Sequence, residues 1–341
     1  AATPAAAPAA AEAQTGISAA LCRLSFDNFL VFWRQILQDC VDVSARFCEY
    51  ASLIQATATA VLEGPSAASE GPEPELQRLF EVVMKSYLQK VGVLLQARQG
   101  EHRGLKAEDW KRLLRVSHTA LDQVRAFQER CRQRLSRGKE THGGADVRVE
   151  VRTHLYAQTK AIIEEFDKKC IERVEVALDQ ERWERTDVPL QYKTILEQLL
   201  GKEHRLEMDA VDQGVERYLH VDGVHFLVVP AVLTLIQLLN EYVRLCIEFD
   251  ALPEVVVQRM CSLLKFFNGK ARELVLGGQA VSKQVLRKIT ASNLALCSQC
   301  CGLVGQILPS LQGHLHGLLS AEGGPAAAAL PAAPPGASPS A

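Results

Sequence analysis

The chain has 341 residues, Lys+Arg 38 against Asp+Glu 40, and a formal net charge of −2. Near-neutral charge leaves no basic footprint for wholesale nucleic-acid binding. Aromatic residues make up only 6% of the chain while Leu, Ala, Gln, Glu and Arg abound, which favours helix over sheet.

Residues 1–15 are an Ala/Pro tract and 320–341 a second one. Neither can bury enough side-chain surface to offset ordering entropy, so both are expected to be disordered. No basic start followed by an apolar core marks the first 20 residues as a signal peptide.

From Ser25 to Leu62, Phe26, Phe29, Trp33, Ile36, Leu37, Cys40 and Phe47 recur at three- and four-residue steps, a helix with Ser25 as N-cap. Gly64–Pro74 reads as a loop. A second helix is predicted over 75–99 and a third over 106–137, closing a helical region 16–137. The polar connection 138–146 is a linker. A long helix over 147–183 follows, then Asp187 as N-cap of a short helix to Leu200 with Pro189 in its first turn, where a missing N–H costs nothing. Gly201–Asp222 is charged and unpatterned, a loop that completes the region 147–222.

Residues 223–319 are denser in Leu, Val and Ile and predict a helical bundle over 224–249, 253–276 and 290–319. Gly277-Gly278 caps the second of these. Pro309 should kink or end the third. The longest apolar run, Phe226–Leu239, spans about 21 Å as a helix, short of a ~30 Å hydrocarbon core, and reads as a buried helix. His225–Val229 is the one strand candidate, and it runs into helical spacing, so no strand is predicted. Broad apolar stripes opposite charged faces must pack on one another. The fold class is all-α, with stacked amphipathic bundles in series.

The ten cysteines sit on predicted helices and read as reduced thiols rather than a disulfide framework. Cys297, Cys300 and Cys301 resemble half a zinc or redox motif, but a structural zinc takes four ligands, usually from two such pairs, and no second pair is present. Packing into the core beside Leu294, Leu296 and Val304 is the expectation, with a redox or metal protein centred on the three as the alternative. His314 and His316 lie about 200° apart around a helix and read as surface residues. The nucleotide-binding and hydrolase motifs are absent. No catalytic, cofactor-binding or metal residue is predicted, and the chain is expected not to be an enzyme. Residues 98–139 hold twelve Lys/Arg against five acids, with Arg130, Arg132 and Arg134 near a helix C-terminus. A solvated face is the default, and contact with anionic lipid or an acidic partner the functional alternative.

Phe166-Asp167-Lys168-Lys169-Cys170, the run from Leu178-Asp179-Gln180-Glu181-Arg182-Trp183 to Pro189, Leu263-Leu264-Lys265-Phe266-Phe267-Asn268, Glu273–Gly277, Leu286–Thr290 and Asn293–Leu296 together resemble the C-terminal half of the vacuolar protein sorting-associated protein 54 family. The resemblance covers about 147–319. It implies a rod of helical bundles and coiled coil like other tethers of the CATCHR class, and no catalysis or cofactor. It implies a subunit of GARP, the Golgi-associated retrograde protein complex, acting in vesicle tethering and retrograde transport from endosome to Golgi. The location implied is the cytosolic face of the trans-Golgi network and endosomes, as a peripheral membrane protein. The partners implied are other GARP subunits, SNAREs and endosomal membrane. A related tether, exocyst- or COG-like, is the neighbouring alternative.

Overall fold

A computed structural model describes residues 16, 19–62, 73–135, 146–201, 214–249 and 252–321. The chain forms two compact units, 1–162 and 163–341. The predicted Ala/Pro tracts lie outside the described residues, apart from the last two residues of the final helix. So do most of the predicted loop at 64–74 and linker at 138–146.

Among its described residues, the regular elements of the first unit are all helices. It contains α1 (Phe26–Leu62), α2 (Glu73–Ala97), the short α3 (Gln99–His102), α4 (Ala107–Leu135) and the start of α5 (Val149–Asp179). Ser25 Oγ accepts the Asn28 N–H at 3.4 Å, which caps α1 as its sequence predicts. Phe29, Trp33 and Leu37 of α1 are buried with Leu88 and Leu95 of α2 and with Trp110 and Leu113 of α4. Both buried indoles of this unit find an acceptor: Trp33 Nε1 donates to Ser117 Oγ at 2.8 Å, and Trp110 Nε1 to Thr159 Oγ1 at 2.9 Å. Between the Phe29 and Trp110 rings lies His102, whose Nδ1 is 2.7 Å from Gln158 Oε1. A disulfide joins Cys48 of α1 to Cys131 of α4. This corrects the expectation that all ten thiols are reduced, because side-by-side packing of α1 and α4 brings the two Cα atoms to 5.7 Å, a spacing that sequence positions 83 apart cannot reveal.

The second unit continues α5 and adds β1 (Val188–Pro189), α6 (Gln191–Leu199), β2 (Val215–Glu216), β3 (Leu219–Val221) and β4 (Val224–Phe226). Four helices follow: α7 (Pro230–Glu248), α8 (Pro253–Val275), the short α9 (Gln279–Ser282) and α10 (Ala291–Ala321). The centre is α7, apolar on most of its circumference. Val232, Leu235, Ile236, Leu238, Leu239 and Tyr242 are all buried, because α6, α8 and α10 pack around it. Tyr242 Oη donates to Asp167 on α5 at 2.5 Å. On the outside, Glu164–Arg259 at 3.2 Å and Lys283–Asp179 at 2.8 Å pair α5 with α8 and the α9 end.

Two antiparallel ribbons, β1–β2 and β3–β4, correct the prediction of no strand. Val188-Pro189 pairs with Val215-Glu216, so Pro189 lies in a strand and α6 starts after it without a side-chain cap, rather than at Asp187. Part of the predicted loop 201–222 is strand, and 202–213 lie outside the described residues. Pro309 does not end α10. Its ring faces outward, where the Gly305 carbonyl that loses a helical donor also lies on the exposed side.

Candidate docking surface

Helix α10 has 31 residues, about 46 Å of helix, and not one Asp, Glu, Lys or Arg. Its start is fixed by reciprocal capping. Asn293 Oδ1 accepts from the Thr290 N–H at 2.9 Å and from the Thr290 hydroxyl at 2.6 Å, while Thr290 Oγ1 accepts the Asn293 N–H at 3.3 Å.

Asn293 also donates from Nδ2 to the Trp183 carbonyl at 3.2 Å. Trp183 is buried and sits at a left-handed φ of 53°, which a bulky residue adopts only when its surroundings hold it there. Glu181 supplies that hold. Its Oε1 accepts the Trp183 N–H at 3.0 Å and its Oε2 the Ala231 N–H at 2.9 Å, in the first turn of α7. Burial pushes the Glu181 carboxyl above the ordinary carboxylate range, although the backbone donors pull the other way. One buried carboxylate therefore ties the end of α5 to the start of α7, and through Trp183 to the start of α10. Nothing in the sequence run Asp179–Arg185, where five of seven residues are charged, sets Glu181 apart as the buried one.

Along α10, Leu296, Cys300, Leu303, Ile307, Leu311 and Leu315 are buried against the unit. Near its C-terminal end, His314 Nδ1 donates to the Leu199 carbonyl at 3.0 Å. A Cβ on Gly201, which has φ +67°, would come within 2.8 Å of the His314 ring, so that close approach requires glycine. This corrects the reading of His314 as a surface residue; His316 is exposed, as predicted. The opposite side carries Leu294, Ser298, Cys301, Gly305, Leu308, Gln312, His316 and Leu319, all exposed among the described residues. At Gly305, Gly313 and Gly317 an added Cβ would meet nothing within 4 Å. Open helical glycines cost roughly 0.5–1 kcal/mol each relative to Ala, and nothing among the described residues requires them. An apolar hollow of about 40 Å³ among Cys246, Ile247, Pro253, Val257, Leu315, Leu318 and Leu319 lies at the far end of this helix.

Among the described residues, two helices are long and apolar enough by composition to cross a membrane, over Pro230–Ile247 and Ala291–Ser320. The first overlaps the apolar run read as a core helix, and 67% of it is buried; only 28% of the second is, and the sequence reading passed it over.

The three α10 cysteines do not share one environment. Cys300 is buried and its thiol pushed up to about 12; Cys301 is exposed, and a hydrogen bond from Cys297 lowers it to about 7. Core packing thus holds for Cys300 and not for Cys301, which the helical turn carries round to solvent. Among the described residues, no group of three or more His, Cys, Asp or Glu side chains is arranged to hold a metal ion.

The basic segment is partly structural. Arg98 is buried, with Nη2 donating to the Leu24 carbonyl at 2.8 Å, Nη1 to that of Leu21, and the guanidinium 4.6 Å from the Phe29 ring centre. Arg130 is exposed and stacks 4.1 Å over Phe127. The side chains of Arg132 and Arg134 lie outside those described.

The family model described as Vps54-like protein matches residues 223–329. Human vacuolar protein sorting-associated protein 54 is 31% identical over 172 residues, 48% of this chain and 17% of that protein. The Drosophila melanogaster protein of the same name is 29% identical over 50% of this chain and 18% of its own length. The Arabidopsis thaliana protein named vacuolar protein sorting-associated protein 54, chloroplastic, is 21% identical over 47% and 22%. The match thus spans about a fifth of the length of these curated relatives. No solved structure matches the chain.

Proposed function

In its C-terminal half this chain belongs to the Vps54-like family, and from that premise we propose that it is a non-enzymatic subunit of a vesicle-tethering complex of the GARP type. It acts in retrograde transport from endosomes to the trans-Golgi network, as a peripheral protein on the cytosolic face, alongside the other subunits of that complex. Its working part is a surface rather than a reaction centre. The single observation that carries this reading is α10: 31 residues free of formal charge, buried on one side and open on the other.

A soluble helix ordinarily turns charge to water. One that turns leucine, glycine and glutamine outward is built to be covered. Glycines on that side let a second helix approach closely, and the lack of any Lys or Arg favours a neutral helical partner over an anionic surface. The occupant is therefore an amphipathic helix of another subunit.

The test is co-precipitation of the full chain with GARP subunits from cell extract, with imaging of its location. Leu294→Asp with Leu308→Asp should leave the fold intact by circular dichroism and abolish both association and Golgi placement. Association unchanged in the double variant, or none in the wild type, overturns the reading.

A further inference from the structure

His220 and His225 face each other across the β3–β4 ribbon, paired in register. The connecting residues Asp222 and Gly223 have φ of 46° and 82°, both positive, as in the two-residue hairpin turn whose twist matches that of the strands. Val221 and Val224 flank that turn as a hydrogen-bonded pair. The next pair outward, the two histidines, is then of the non-hydrogen-bonded kind, with side chains at their closest.

The ring centres are 4.2 Å apart at 89°, and the two Nδ1 atoms are 2.5 Å apart. Two imidazole nitrogens so placed can share one proton but cannot each carry their own. The other nitrogen of His220, Nε2, lies 3.7 Å from Glu216 Oε2. A carboxylate there favours the tautomer with its hydrogen on Nε2, which leaves the His220 Nδ1 lone pair aimed at His225. A carboxylate at one ring nitrogen and a lone pair on the other is the arrangement that orients histidines on metal ions.

We propose that His220 and His225 form a binding site for a divalent transition-metal ion held at their paired Nδ1 atoms, with Glu216 as a positioning residue on His220. Imidazole donors select ions of the zinc, nickel and copper type over magnesium or calcium. Metal–nitrogen bonds of roughly 2.0–2.1 Å require the nitrogens to open outward by well under an ångström, which rotation of two exposed rings supplies. Water completes the coordination shell. The bound ion takes the place of the shared proton and clips β3 to β4, against which α10 packs through Phe226, 3.7 Å from where a Cβ on Gly302 would stand.

The test is calorimetric titration of the untagged full chain with Ni²⁺, in a Cys297→Ser, Cys301→Ser background that removes the nearby thiols. One equivalent should bind. His225→Ala should abolish binding without changing the circular dichroism, and Glu216→Gln should weaken it about 10–100-fold. Mg²⁺ should give no heat. No binding of Ni²⁺ by the parent, or undiminished binding by His225→Ala, overturns the site. Unchanged affinity in Glu216→Gln overturns the part assigned to the carboxylate.

Discussion

Replacing Glu181 should loosen three helices at once. In Glu181→Ala the buried N–H groups of Trp183 and Ala231 both lose their acceptor. A buried donor left unsatisfied costs about 1–3 kcal/mol, so the pair costs about 2–6 kcal/mol. Glu181→Gln keeps one acceptor oxygen but turns an NH₂ group toward the other donor, so about 1–3 kcal/mol is lost. For a unit of this size, each kcal/mol lowers the midpoint by about 2–4 °C. Thermal unfolding of the full chain should show the second unit's transition falling in the order wild type, Gln, Ala. Hydrogen exchange should accelerate in peptides holding Trp183, Ala231 and Asn293, and stay unchanged around Trp33. A pH signature accompanies it. Because the folded carboxyl is raised, the fold disfavours its ionised form, so this group's contribution is most favourable below the ordinary carboxylate value. It declines as pH rises through the folded value. Glu181→Gln should lack that decline. Wild-type midpoints and exchange in Glu181→Ala would refute the reasoning.

His102 is buried and its protonation lowered to about pH 4, by desolvation first and by the nearby Arg98 charge, against the hydrogen bond to Gln158. The first unit should therefore lose up to about 3 kcal/mol as pH falls from about 6.5 to 4, since the unfolded imidazole binds its proton more readily; denaturant midpoints of His102→Gln should lack this loss. Cys301 should be alkylated with a midpoint near pH 7, and Cys297→Ala should move that midpoint upward. Leu303→Ala should destabilise the second unit by about 2–5 kcal/mol in chemical unfolding, whereas Leu308→Ala on the open side should change it by no more than about 0.5 kcal/mol. Peptide mapping of the unreduced protein should recover Cys48 joined to Cys131.

The helices were legible because each must repeat its apolar residues every three or four positions, and Phe29, Trp33 and Leu37 or Leu263 and Phe267 do so whatever they later pack against. The β3–β4 ribbon carried a sign of its own, Asp222-Gly223 between Leu219-His220-Val221 and Val224-His225-Phe226. Its strands are only three residues long, and the adjoining helical period obscured them. The β1–β2 pair had no local sign, since Val188 meets Glu216 across 28 positions and the energetics of that pairing lie in the tertiary structure. The family stretch from Leu178 to Pro189 was legible as a resemblance, but the task of Glu181 within it was not: a run of mostly polar and charged letters does not say which carboxylate the chain will bury. The open side of α10 was missed for the opposite reason. Its apolar content reads as core, and only the packing reveals that half of that content faces outward.

A surface without formal charge neither attracts a partner from a distance nor loses it when salt is added. Encounters at α10 should proceed at the unsteered rate of roughly 10⁵–10⁶ M⁻¹ s⁻¹, nearly indifferent to ionic strength, and be retained or lost by how closely the two shapes fit. Such a contact makes a poor long-range sensor but a good latch, one that closes only after something else has brought the two bodies together.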